Sequence, residues 1–362
     1  MLYIVSFFII FTLIALFITR KKIYVPSSAM AAVMSLGITI QGVLFHFADD
    51  IVDPTIFSKL ITMLIVSIWF VFFYSYLLAG FQRKFIALYY SNPINRFGIG
   101  TWIAGTSIST ILFSKQFESI SFIAELVTYM NILLWLGYIA ISVIAFKEII
   151  QQNLIKNVHG ILLLTTVSTQ SIVLLLHTIF QHIPIFITYS LISTGILFYI
   201  LSAVLILNRY IRNKWKIEQD WNNTNCILHG ALSISGLACV VSNVITMNLI
   251  LALWYLVLFV FLVVESFEIV RMIKRIKQYG WGKGIFTYEI SQWSRIFTFA
   301  MFYTFTSLLE SHSVIQHMII QYGTVIIFTI LILEIALSFK NISKNNKHTT
   351  FKKKNYNITS LS

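Results

Sequence analysis

Acidic side chains are scarce in this sequence. Aspartate and glutamate together number 13 in 362 residues, half the 26 lysines and arginines, and charged residues of both signs make up only 11%. With 58% hydrophobic residues beside so little charge, the chain does not have the composition of a soluble domain. The two cysteines, Cys226 and Cys239, make neither a disulfide framework nor a metal-binding pattern. There is no H-E-x-x-H, no G-x-S-x-G, no Walker loop and no cluster of carboxylates, so the familiar hydrolytic and nucleotide-binding chemistries are missing. No cofactor and no metal is expected.

What the chain has is long apolar runs. About eleven recur at the length needed to cross a hydrocarbon core of roughly 30 Å: Leu2–Thr19, Ser28–Phe47, Phe57–Gly80, Phe97–Phe113, Phe122–Phe146, Val158–His177, Pro184–Leu207, Cys226–Thr246, Asn248–Val270, Arg295–Glu310 and Val314–Ser338. Strands of an outer-membrane barrel need only about 9–11 residues each, so these are helices. The fold class is all-α and polytopic.

Lysine and arginine alternate from connector to connector. Basic connectors hold Arg20–Lys22, then Arg83, Lys84 and Arg96, then Lys147 and Lys156. Later ones hold Arg209–Lys216, then Arg271–Lys283, then the tail from Lys340. Only Lys59 and Lys115 fall on the other side, with "FADDIVDPT" (Phe47–Thr55). Cytoplasmic loops carry the lysine and arginine excess, which places the N-terminus outside and the C-terminus inside. The net charge of +13 is then a topology signal in contact with anionic head groups, not a nucleic-acid footprint. The first run has no basic stretch before it and does not read as a cleaved signal peptide. Residues 1–27 read as an additional membrane helix with a basic linker, 28–340 as the main domain, and 341–362 as a disordered cytoplasmic tail.

Without the first helix, ten remain, forming five hairpins that enter from the cytoplasm. Small residues separate the two members of each pair: Gly, Ala, Ser and Thr fill roughly two in five positions of the leading helices and one in five of the returning ones. "RFGIGTWIAGTSIST" (Arg96–Thr110) and "NLILALWYLVLFVFLVVESF" (Asn248–Phe267) show the contrast best. Small residues let backbones approach and hydroxyls line polar interiors, so the expected architecture is an inner ring of five helices inside an outer ring of five.

Five leading-helix segments, in order, resemble one family. They are "MAAVMSLGITI" (Met30–Ile40), "RFGIGTWIAGTS" (Arg96–Ser107), "GILLLTTVSTQS" (Gly160–Ser171), "CILHGALSISGLA" (Cys226–Ala238) and "WSRIFTFAMFYTFTSLL" (Trp293–Leu309). The patterns are similar to those of the tellurite-resistance/dicarboxylate transporter family, which includes the plant guard-cell slow anion channel. The resemblance implies a ten-helix pore of quasi-fivefold arrangement, a homotrimer in a bacterial plasma membrane, and passage of C4-dicarboxylates or inorganic anions. It also implies a gating phenylalanine on the ninth of the ten helices, aligned with Phe297. Family members carry a proline next to it, where this chain has Thr298; none of its prolines (Pro26, Pro54, Pro93, Pro184) lies inside a leading helix. Residues expected to line the pore are Gly37, Gly100, Thr101, Ser168, Gln170, His229, Gly230 and Thr298. A membrane-embedded enzyme and a sensory or structural membrane domain are the alternatives.

Few ionisable groups fall inside the runs. Glu265 and Glu268 are expected to pair with Arg271 and Lys274 at the cytoplasmic boundary, and Glu334 to lie near Lys340. No carboxylate is expected at mid-membrane, which argues against a proton-relay pump. The topology has a direct check. Alkaline phosphatase fused after Ser362 should be inactive and a reporter before Met1 should be external; an active C-terminal fusion overturns the span count.

Overall fold

Inside a bilayer every backbone polar group must find a partner within the protein, and helices do this segment by segment. The computed structural model describes residues 2–44, 54–309 and 313–359; the acidic connector Phe47–Thr55 lies outside them over all but its last two residues. Among the described residues there are helices and no strand. In chain order the main ones are α1 (Leu2–Lys21), α2 (Ala31–Ile38), α3 (Pro54–Phe81), α4 (Gly100–Gln116), α5 (Ser121–Gln151), α6 (Leu164–Ile179), α7 (Ile185–Arg212), α8 (Ile227–Ser242), α9 (Met247–Gly284), α10 (Trp293–Ser307) and α11 (Val314–Thr359).

Among the described residues eight helices are long and apolar enough to cross a membrane. Two leading ones are shorter than their apolar runs suggest. α2 has eight residues and continues as a π-helical turn, Thr39–Leu44, while α10 has 15. Both are enclosed by other helices, and backbone buried in protein need not run helical to the head groups. α9 extends well past its apolar run and breaks at Gly280, whose φ of 72° suits a residue without a Cβ. α11 is helical to Thr359, where composition predicts disorder.

The leading helices are neighbours in cyclic order: α2 packs on α4, α4 on α6, α6 on α8, α8 on α10, and α10 back on α2. Between 83% and 94% of the apolar core of the three long leading spans is buried, against 17–33% for the five returning ones. Small residues thus mark the inside, as the composition suggests. Outside, α3 spans α2 and α4, α5 spans α4 and α6, and α7 spans α6 and α8. α1 lies against α3.

Each inner helix after α2 starts with a 3-10 turn, and each start has a side-chain acceptor for otherwise unpaired N–H groups. Asn92 Oδ1 accepts from Ile94 N at 2.9 Å, and Asn222 Oδ1 from Thr224 N at 3.0 Å. Glu289 and Gln292 form a reciprocal capping box. His159 Nδ1 faces Ile161 N at 3.4 Å. The same Nδ1 lies 2.8 Å from Thr224 Oγ1.

These starts are also tied to one another. Ser27 Oγ donates to Asn95 O at 3.1 Å, and Asn225 Oδ1 accepts from Gly160 N at 2.9 Å. Asn223 Nδ2 donates to Glu289 Oε2 at 2.8 Å, and Ser35 Oγ to Trp293 O at 2.5 Å. The inner helices therefore begin at one common end, the end that carries Arg96, Lys156 and Arg209.

Candidate functional site: the ring interior and its charged rim

The orientation of α10 follows from what its side chains touch. Phe299 and Phe302 meet Phe261 of α9 at ring-centroid distances of 5.1 and 5.2 Å. Thr306 Oγ1 accepts from Trp254 Nε1, also of α9, at 2.9 Å. Tyr303 meets Thr324 of α11 at 3.1 Å. That side of α10 faces the outer helices. Its flanks meet its inner neighbours: Thr298 and Phe305 lie against Gly230 and Gly236 of α8, and Thr304 against Gly42 beyond α2. At about 100° per residue, Phe297 is turned roughly 160° from Phe299 and 140° from Phe302. It therefore points away from the outer helices, on the side of the inner neighbours, and is 1% exposed. Ser294 and Met301 share this face.

The other residues expected in the pore are distributed between helix contacts. Gly37 abuts Ile108 of α4, Gly100 abuts Tyr138 of α5 and Leu164, and Gly230 abuts Thr298. Thr101 Oγ1 donates to Gly98 O at 2.8 Å and to Ser27 O at 3.2 Å, and Ser168 Oγ donates to Thr165 O at 3.0 Å. Thr298 Oγ1 bonds back to Arg295 O at 3.0 Å, the bond by which a threonine can bend a helix lacking proline. Gln170 and His229 point outward. Gln170 Nε2 donates to Ile192 O of α7 at 3.2 Å, while His229 Nε2 lies 3.5 Å from Glu265 Oε1 of α9.

His229 leads to a charged cluster at the ring's basic end that sequence reasoning only half finds. Glu265 and Glu268, three residues apart on α9, face α8 and α10. Glu268 Oε2 pairs with Arg271 at 3.3 Å, as expected, and its Oε1 lies 2.7 Å from Arg295 NH2 on α10. Arg295 Nε is 4.0 Å from Glu265 Oε2. Trp221 Nε1 donates to Glu268 Oε1 at 3.0 Å, and Arg271 also bonds Asn223. Arg295 is the missed residue. Its signal was its place, a lone arginine at the head of an apolar run. Glu334 does not stay beside Lys340; it is 4% exposed and turned into a cavity of about 240 Å³ shared with Arg271, Glu289 and Arg295.

Chemically, the ring favours anions. No aspartate or glutamate occurs in α2, α4, α6, α8 or α10, and their formal charges are Lys115 and Arg295. Among the described residues no group of His, Cys, Asp and Glu is arranged to hold a metal.

The chain belongs to the voltage-dependent anion channel family, whose profile matches residues 24–340. Members of this family are channels and transporters, not enzymes, and this chain is a multi-pass membrane protein of that kind. No curated protein matches the chain in sequence.

Arg295 lies within ion-pair distance of two carboxylates, and without it Glu268 would keep Arg271 alone and Glu265 only the His229 ring. Arg295→Met should cost about 3–5 kcal/mol, the usual penalty for breaking one side of a buried ion pair, and Arg295→Lys should cost less. Thermal unfolding in detergent measures both; a midpoint unchanged in Arg295→Met would show that the cluster bears no structural load.

Proposed function

Starting from membership in an anion-channel family, we propose that the five inner helices wall a central path for small anions and that Phe297 closes it. The observation that carries this reading is the direction of Phe297: of the aromatics on α10, it is the one turned furthest from α9 and α11. A benzyl group in a narrow apolar constriction blocks an ion sterically and by excluding the water the ion needs. The fitting cargo is a small anion, a C4-dicarboxylate or an inorganic species, because the inner helices offer hydroxyls and no carboxylate to repel it. Passage is passive or facilitated: the buried glutamates of α9 are engaged with Arg295 and Arg271 at the rim, and no carboxylate stands on the path to relay a proton. The N-terminus is outside, the C-terminus is cytoplasmic, the membrane is a bacterial plasma membrane, and the assembly is a homotrimer.

Phe297→Ala should open the path. In proteoliposomes, its malate and chloride flux should exceed wild type by about tenfold or more, the effect of lowering a barrier by 1.4 kcal/mol. Phe302→Ala, on the opposite face, should loosen packing and leave flux near wild type. A folded Phe297→Ala protein no leakier than wild type for either anion removes Phe297 as the gate.

A further inference from the structure

Three outer helices each close the seam between two inner ones, but α9 packs closely on α8 and on neither α10 nor α11. It reaches α10 only through long side chains such as Trp254, Phe261 and Glu268. Where α9 and α11 diverge at the basic end, the 240 Å³ cavity lies between them. Its α9 wall carries Glu265 and Glu268 as well as Arg271 and Arg275, but those carboxylates are taken up by Arg271 and Arg295, so the charge left unanswered on that wall is cationic. On α9, Arg275 spends its donors on two backbone carbonyls, those of Gly284 and Glu218, and among the described residues no carboxylate lies within ion-pair distance of it. Arg271 Nε is buried without a partner. Opposite stand Glu289, bonded to Asn223 and Ser291, and Glu334, whose Oε1 is buried without a partner. The lining continues into apolar, partly exposed side chains, Ile269 and Met272 of α9 and Leu333 of α11.

A cationic wall, an acidic wall and an apolar flank at the level where the apolar runs end fit one kind of molecule. We propose that this cavity holds the headgroup of a phospholipid that carries both a phosphate and a primary ammonium, the ethanolamine type. The phosphate lies against Arg271 and Arg275. The ammonium donates to Glu334 and Glu289. The acyl chains run over Ile269, Met272 and Leu333 and fill the seam that α9 leaves open. A phosphate alone would leave the Glu334 carboxylate unanswered, and a simple amine would leave Arg275 without an anion. A buried carboxylate oxygen with no donor is costly, so a ligand that supplies one is bound selectively. The site is independent of the anion path, since none of its groups lies on the ring's inner face.

Native mass spectrometry of the delipidated full-length protein tests this, with phosphatidylethanolamine, phosphatidylcholine, phosphatidylglycerol and soluble phosphoethanolamine as ligands. Phosphatidylethanolamine should bind at one site about tenfold tighter than the other two lipids, the ratio expected of one added charge-assisted hydrogen bond. The choline lipid has the same phosphate but no N–H to donate, and the glycerol lipid has no cation. Glu334→Gln, or Glu289→Gln should the first fail to fold, should abolish the preference and keep residual binding. Equal or tighter binding of phosphatidylglycerol overturns the proposal, as does a preference that survives both substitutions. Phosphoethanolamine binding as tightly as the lipid overturns it too, since the site would then serve a soluble zwitterion.

Discussion

A ring of five helices in which each packs on the next requires its members to touch nearly backbone to backbone. That contact rests on positions without side chains. At Gly160 an added Cβ would run into the carbonyl of Thr224 in the 3-10 turn that leads into α8, and at Gly42 and Gly230 it would overlap Thr304 and Thr298. Lipid gives no hydrophobic force between helices, so close packing and interhelical hydrogen bonds must supply the association. The bonds Ser27–Asn95, Gly160–Asn225, Asn223–Glu289 and Ser35–Trp293 add to that association at the basic end. The outer helices can then be bulky and apolar, because they meet the inner ones on one side and lipid on the other.

The same arrangement sorts charge. Inner helices carry hydroxyls and no acid, while the glutamates of α9 and α11 sit at the rim, paired with Arg295 and Arg271 or turned into the cavity beside them. A buried cluster of this kind is weak evidence for stability in itself, since desolvation offsets much of the attraction. Its structural value lies in position: through Glu268 and Arg295 it joins α9 to α10, two helices whose backbones stay apart.

The all-α, polytopic character, the alternation of basic connectors and the division into buried and outward-facing helices were legible in the sequence. Each is a property of one segment at a time, read from length, charge or the density of small residues. Directions around each helix were less so. Gln170 and His229 are possible pore-lining residues by sequence, and which way each points depends on partners that sequence does not show, Ile192 O of α7 and Glu265 of α9. The pairing of Arg295 with Glu268 joins residues far apart in the chain, and spacing along one helix could reveal only the Arg271 half of it. Phe297 could be chosen from the sequence only by resemblance, because which face of α10 meets α9 depends on contacts of Phe299, Phe302 and Thr306 with residues far away in the chain.

The central claim is that the face of α10 bearing Phe297 and Met301 borders an aqueous anion path while the face bearing Phe299 and Phe302 does not. Single cysteines can be placed at Met301 and at Phe299 in a Phe297→Ala chain whose Cys226 and Cys239 are replaced by alanine. Each is then treated with a negatively charged, membrane-impermeant methanethiosulfonate. Met301→Cys should react and lose anion flux as it does, and Phe299→Cys should stay unmodified. Rapid modification of Phe299→Cys with Met301→Cys inert would place the path elsewhere and contradict the account.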